Sequence, residues 1–324
     1  GKPNSVCLLS AMLASTGVIA ATAQEQPAKK AEARTDGKKE GLPLRPERKI
    51  EFTTDEGTWI SLDLSRDGRT ILFELLGDFY TLPLEGGDAV RITSGMAFDS
   101  QPRYSPDGSH IAFVSDRDGA ENVWIANADG SDPRQVSREH QSLFVSPSWT
   151  PDGEYVVVTR SPQSSSVWDR TYEIWMYHIK GGSGIQITKS KSRSDTHALG
   201  AVASPDGRYL YYAKRTGIAF VHGEGAPLPF CQIARRDLTT GEEDMITEAP
   251  GSAMRPVLSP DGARLVYGTR HEAETGLRIR DLSTGEERWL KYPVQRDAQE
   301  SFGERDLLPG YAFTPDGREI VVSY

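Results

Sequence analysis

At 324 residues, with 26% of them charged and a net charge of −9, the chain has length for one large domain or two ordinary ones, and its sign disfavours a nucleic-acid partner. The acidity is uneven: the first 50 residues carry +4 and the remainder −13. Cys7 and Cys231 are the only cysteines, so removal of the amino-terminal segment leaves no internal disulfide, and Cys231 reads as a packed core thiol.

Residues 6–21 form an apolar stretch preceded by Lys2 and followed by Ala21-Thr22-Ala23, the pattern of a secretory signal peptide with a small-residue cleavage site. Ser15, Thr16 and Gly17 interrupt it, and it is short for a bilayer span, so residues 1–23 are expected to be removed and no stable membrane span to remain. Cys7 lies far upstream of the cleavage site, which argues against a lipid-anchored cysteine. Residues 24–47 are rich in Lys, Glu, Ala and Pro and read as a charged, solvated linker. An exported, periplasmic or secreted location follows as an expectation.

From residue 48 onward one phrase recurs six times: Ser65-Arg66-Asp67-Gly68, Ser105-Pro106-Asp107-Gly108, Thr150-Pro151-Asp152-Gly153, Ser204-Pro205-Asp206-Gly207, Ser259-Pro260-Asp261-Gly262 and Thr314-Pro315-Asp316-Gly317. Proline sets φ for the turn and stops the strand before it, Asp accepts local N–H groups, and Gly supplies the positive-φ step that reverses the chain. Each phrase runs into a β-branched or aromatic segment such as Ile111-Ala112-Phe113-Val114 or Tyr209-Leu210-Tyr211-Tyr212. Because these segments are apolar at neighbouring positions, they predict strands buried on both faces.

A second turn follows in phase, at Gly86-Gly87, Asp129-Gly130, Gly181-Gly182, Thr240-Gly241 and Thr284-Gly285. Each repeat therefore reads as four antiparallel strands, the unit of a propeller blade. The expected fold is all-β: a β-propeller of about six four-stranded blades over residues 48–324, the last blade incomplete because the sixth phrase stands close to Tyr324. A two-layer sandwich would not call for paired turns in phase. Lys49–Thr54 could supply one edge strand to close the ring, and the natural protein is expected to continue beyond Tyr324.

Successive phrase aspartates lie 40, 45, 54, 55 and 55 residues apart, so the later repeats carry insertions. The longest connections are 160–171, 190–198, 214–230 and 293–309, and insertions of this kind fall on surface loops. Trp168-Asp169-Arg170, an aromatic beside charges on such a loop, is the candidate interaction surface.

Catalytic signatures are sparse. The six histidines are scattered, with no His-x-His and no His-Glu-x-x-His, no Gly-x-Ser-x-Gly elbow occurs, and Gly181-Gly182-Ser183-Gly184 lacks the lysine and following helix of a phosphate loop. Residues 116–122, Asp-Arg-Asp-Gly-Ala-Glu-Asn, lack the remaining oxygens of a twelve-residue calcium loop and read as a solvated turn. No catalytic, cofactor or metal residue is expected within this segment, and the phrase aspartates read as structural.

The repeats resemble those of the TolB translocation protein and of the tricorn protease amino-terminal region. Asp55-Glu56-Gly57-Thr58-Trp59, Leu76–Pro83 and Thr93–Asp99 together look like the amino-terminal propeller of exported, propeller-fused amidohydrolases. That resemblance implies a non-catalytic propeller serving substrate docking, gating or interdomain scaffolding. A downstream barrel of the same chain would then hold a divalent metal. A stand-alone TolB-type propeller binding a periplasmic protein, and the propeller of a serine peptidase, remain open beside it.

Overall fold

The computed structural model describes residues 50–57, 60–162, 171–190, 198–216, 229–272, 274–296 and 310–323. Among them every regular element is a strand. The first blade comprises β1 (Leu62–Leu64), β2 (Thr70–Leu75), β3 (Asp78–Pro83) and β4 (Val90–Arg91). The second comprises β5 (Asp99–Tyr104), β6 (His110–Ser115), β7 (Asn122–Asn127) and β8 (Arg134–Gln135). β9 (Ser142–Trp149), β10 (Tyr155–Pro162), β11 (Glu173–His178) and β12 (Ile185–Gln186) make the third. β13 (Ala198–Ala203), β14 (Tyr209–Arg215), β15 (Cys231–Asp237) and β16 (Glu243–Met245) make the fourth. The fifth holds β17 (Met254–Leu258), β18 (Arg264–His271), β19 (Glu274–Asp281) and β20 (Glu287–Arg296), and β21 (Tyr311–Phe313) pairs with β22 (Ile320–Val322).

Each sheet is an antiparallel meander in chain order, as a propeller requires and a two-layer sandwich does not. The blade count needs correction: there are five four-stranded blades rather than about six, and the sixth phrase builds a two-stranded sheet. That phrase closes only the first hairpin of a blade. The edge strand expected from Lys49–Thr54 is also not formed among the described residues, where Ile50 and Phe52 lie exposed outside any strand.

The phrase works through its hydroxyl. In the second blade Ser105 Oγ donates to Asp107 Oδ1 at 2.5 Å while accepting the His110 N–H at 3.0 Å, and Asp107 Oδ1 also accepts the Ser109 N–H at 3.0 Å. Gly108, at φ 74°, donates its own N–H to the Ser105 carbonyl. The same three side-chain bonds recur in the other five phrases. Ser or Thr is required because only a hydroxyl can donate and accept at once in so short a reach.

Adjacent apolar residues in the second strands face opposite ways, so each feeds a different interface. Val156 and Val158 pack with Ala112, Val114 and Phe144 between the second and third blades, whereas Val157 packs with Leu210 and Tyr212 between the third and fourth. The parity continues around the ring: Ile320 and Val322 join Val266 and Leu277, and Val321 joins Leu62, Leu64 and Ile71. The two-stranded sheet therefore bridges the fifth blade to the first, and the core is six wedges between sheets rather than one central mass.

Candidate functional site at the ring axis

Antiparallel order places the phrase turns and the second Gly turns on one face of the ring. The connections from second to third strand, and from the fourth strand to the next blade, lie on the other. All four of the long connections leave from this second face, as the ends of β10, β12, β14 and β20 show. Trp168, Asp169 and Arg170 lie outside the described residues, within the connection from β10 to β11.

The innermost strands β1, β5, β9, β13, β17 and β21 surround the axis and line a cavity of about 150 Å³. Its side chains stand four to six positions before each phrase aspartate, in the middle to later part of β5, β9 and β13. Position six before the phrase aspartate has a shared irregularity: Gln101, Ser146, Gly200 and Arg255 have φ of 55°, 55°, 62° and 54°. A register shift accompanies each. Such a bulge re-aims the strand's side chains at the axis and carries backbone strain for non-glycine residues.

Polar bonds hold these bulges across blade boundaries. Gln101 Oε1 accepts the Ser146 N–H at 2.6 Å, and Thr159 Oγ1 accepts the Gly200 N–H at 2.9 Å. Ser148 Oγ donates to the Ala201 carbonyl at 2.6 Å, and Tyr311 donates its phenol to the Arg255 carbonyl. Arg103 Nη1 donates to the Pro102 carbonyl at 2.7 Å, to Ser61 Oγ at 3.0 Å and to the Leu62 carbonyl at 3.2 Å. Asp63, on the facing first blade, accepts the Tyr104 N–H at 2.8 Å and the Leu64 N–H at 2.9 Å. Burial raises the Asp63 carboxyl above the ordinary range, opposed by the Arg103 charge and by those two N–H groups. Arg255 is itself buried, its guanidinium carbon 5.7 Å from the Tyr311 ring centre.

The axial lining thus combines two guanidinium groups, one carboxylate, serine hydroxyls and an apolar wall that includes Val202, Pro256 and Val257. This is recognition chemistry: fixed donors and positive charge inside a narrow, partly apolar space. Sequence reasoning missed these residues because it treated the phrase, and not the six positions ahead of it, as the repeating unit. Aligning the phrases would have shown Pro102, Pro147 and Pro256 in register, each directly after an irregular residue.

A second concavity lies on the turn face between the second and third blades, bordered by Arg66, His110, Arg134 and Trp149. Of its three carboxylates, Asp107 and Asp152 are engaged by their own turns, beside Glu154.

Residues 116–122 disperse rather than converge. Asp116 accepts the Phe98 N–H at 2.7 Å, Glu121 accepts the Phe144 N–H at 3.2 Å, Asp118 bonds Gln135, and Asn122 bonds Ser137 Oγ at 2.8 Å. Arg117 leaves the loop to grip buried Asp99 with both oxygens at 2.7 Å. His178 stands edge-on to Tyr155 at 5.0 Å and accepts the Lys180 N–H at 3.1 Å. Among the described residues no three His, Cys, Asp or Glu side chains gather into a metal site.

Fold and axial lining together define a β-propeller with a small polar cavity at its axis. A family model described as the tricorn protease N-terminal beta propeller domain matches residues 63–219. In sequence, 183 residues, 56% of the chain, are 28% identical to the uncharacterized peptidase YuxL of Bacillus subtilis, covering 23% of that protein. Over 98 residues, 30% of the chain, identity to the tricorn protease homolog 1 of Streptomyces coelicolor is 31%, covering 9% of its length. The chain thus spans under a quarter of each of these two relatives. Among solved structures, a protein assigned as TolB from Agrobacterium tumefaciens superposes with a TM-score of 0.59 at 20% identity, covering 82% of this chain and 90% of that one. TolB from Acinetobacter baumannii gives 0.55 at 19% identity, over 76% of this chain and 57% of the other.

Proposed function

We propose that this chain is a non-catalytic propeller that docks or gates substrate for a larger exported hydrolase. The observation that carries the reading is topological: the four longest connections leave from one face of the ring, the face at which the inner strands that line the axial cavity begin. The signal-like segment at residues 6–21 supports export to the periplasm or beyond.

The resemblance through residues 55–99 supports a metal-dependent amidohydrolase as the parent. The divalent metal of such a parent finds no fitting donor set among the described residues, where no three His, Cys, Asp or Glu side chains, those of His110, His140, His178 and His271 included, gather into a metal site. Its ligands would come from a downstream barrel, the partner of this propeller within the same chain. The likeness to YuxL and to the tricorn homologue, both named as peptidases or proteases, favours a second reading in which the parent is a peptidase. A stand-alone TolB-type propeller binding a periplasmic protein is supported by the 90% coverage of the Agrobacterium structure.

The reading frame beyond Tyr324 separates these. A metal-ligating His-x-His within the next several hundred codons supports the amidohydrolase, and a Gly-x-Ser-x-Gly elbow supports the peptidase. A stop codon with a partner recovered from envelope extract supports the TolB-type protein. In the full-length hydrolase, removing the propeller should alter turnover of large substrates while sparing small ones, and equal effects on both would refute gating.

A further inference from the structure

The axial cavity has a charge and a shape that nothing above assigns to a ligand. Arg103 and Arg255 come from the second and fifth blades, which stand opposite one another in a ring of six sheets, yet both line the same space. With Asp63 as the lining's carboxylate, the cavity holds two fixed positive charges against one negative. The excess suits a monoanion and disfavours a phosphate dianion, which would meet Asp63 without a further cation to balance it. The chain as a whole is at −9, so this axial reversal of sign is local.

Size and polarity narrow the ligand further. A volume of 150 Å³ holds about five waters, enough for a carboxylate and a small side chain but not for a folded domain. Val202, Pro256 and Val257 offer that side chain an apolar wall, while Ser146 and Ser148 add hydroxyls to the lining. Guanidinium groups match carboxylate oxygens in geometry as well as charge, and both arginines are held by backbone-bonded strands instead of mobile loops.

We propose that the axial cavity binds the carboxylate of a peptide between Arg255 and Arg103, with the adjoining side chain against Val202 and Val257. This deepens the docking reading by naming a substrate class, and it makes peptides with an accessible carboxylate the ligands that enter the ring. A chain terminus and a glutamate side chain share this chemistry.

The test is titration calorimetry on the 324-residue chain with three probes: tri-alanine with a free carboxylate, tri-alanine amide, and acetyl-Ala-Glu-Ala amide. Either carboxylate peptide should bind at least tenfold more tightly than tri-alanine amide, and the tighter of the two identifies the source. Arg255→Gln should weaken that binding about tenfold or more, with Arg255→Lys retaining part of it. Should Arg255→Gln fail to fold, Val202→Asp, which adds a negative charge to the apolar wall, should weaken binding similarly. Equal binding of amide and acid, no binding of either acid, or unchanged binding in folded variants would overturn the proposal. None of these outcomes depends on a hydrolase domain, so loss of the parent-enzyme reading and loss of this site are told apart.

Discussion

Pro315 Cδ lies 3.0 Å from the point a Cβ on Gly68 would occupy, so the last phrase of the chain seats its proline ring on the first phrase's glycine. The same seating links Pro205 to Gly262 at 3.1 Å and Pro260 to Gly317 at 3.3 Å, and Arg66 offers its Cβ to Gly108 at 3.2 Å. Phrase turns therefore touch on the turn face at every blade boundary but that between the third and fourth, and the Pro315 contact joins residues 247 positions apart.

This contact separates two substitutions that look alike in sequence. Gly68 and Gly207 have φ of 69° and 72°, so alanine at either incurs a left-handed strain of about 1–2 kcal/mol. Gly207 has nothing within 4 Å of a built Cβ, whereas Gly68 meets the proline. Gly68→Ala should therefore lose roughly 1 kcal/mol or more beyond Gly207→Ala, as overpacking adds to strain. Urea unfolding of the two variants measures the difference, and equal losses would show that the seating is slack.

Stability should fall in acid with a defined origin. The hydroxyl bond from Ser105, then N–H and hydroxyl bonds from Ser109, hold the Asp107 carboxyl down at about 2. Asp67, Asp152, Asp206, Asp261 and Asp316 are lowered in the same way, first by their own Ser or Thr. A carboxyl lower in the folded than in the unfolded chain contributes stability that is complete above the unfolded value of about 3.9 and is lost as pH falls through the folded value. The melting temperature should hold from pH 7 to 5 and then drop between about pH 4 and 2. Asp107→Asn should flatten that slope, and an unchanged slope would place the acid sensitivity elsewhere.

The hydroxyl of the phrase should matter more than its size suggests. Ser259 is fully buried, donates to Asp261 and accepts the Arg264 N–H at 2.9 Å. Ser259→Ala removes both bonds and leaves the part-buried Arg264 N–H without its acceptor, at a cost of about 1 kcal/mol or more. Ser259→Thr should recover most of that, since the phrases at Thr150 and Thr314 use threonine in the same role.

Cys231 should behave as part of the core. It is fully buried in β15 among Ile233, Ala253 and Tyr267, and burial pushes its thiol up to about 12. At pH 8 a thiol reagent should label the folded chain only as fast as the blade opens, and completely once denaturant is added. Fast labelling of the native protein would contradict the packing of the fourth and fifth blades.

The Trp168-Asp169-Arg170 segment is open to a direct check. Trp168→Ala should leave the melting temperature unchanged and weaken capture of a partner or substrate by the loop face, and a large loss of stability would instead make Trp168 a core residue.

What the amino-acid sequence determined by itself was the repeating unit, its turns and the two-sided burial of its second strands. These were legible because their causes are local: the hydroxyl, Asp and Gly of each phrase bond within five residues, and strand parity is a property of neighbouring positions. The blade count was less legible, since a sixth phrase predicts a hairpin but says nothing of the strands that would complete its sheet. The axial site belonged to the tertiary structure alone. Asp63, Arg103, Ser148, Arg255 and Tyr311 come from five different sheets, and Gln101, Ser146 and Arg255 take a left-handed backbone that their side chains do not advertise. Closing the ring is the step that turns scattered positions into one lining, because only packing between sheets brings the inner strands to a common axis.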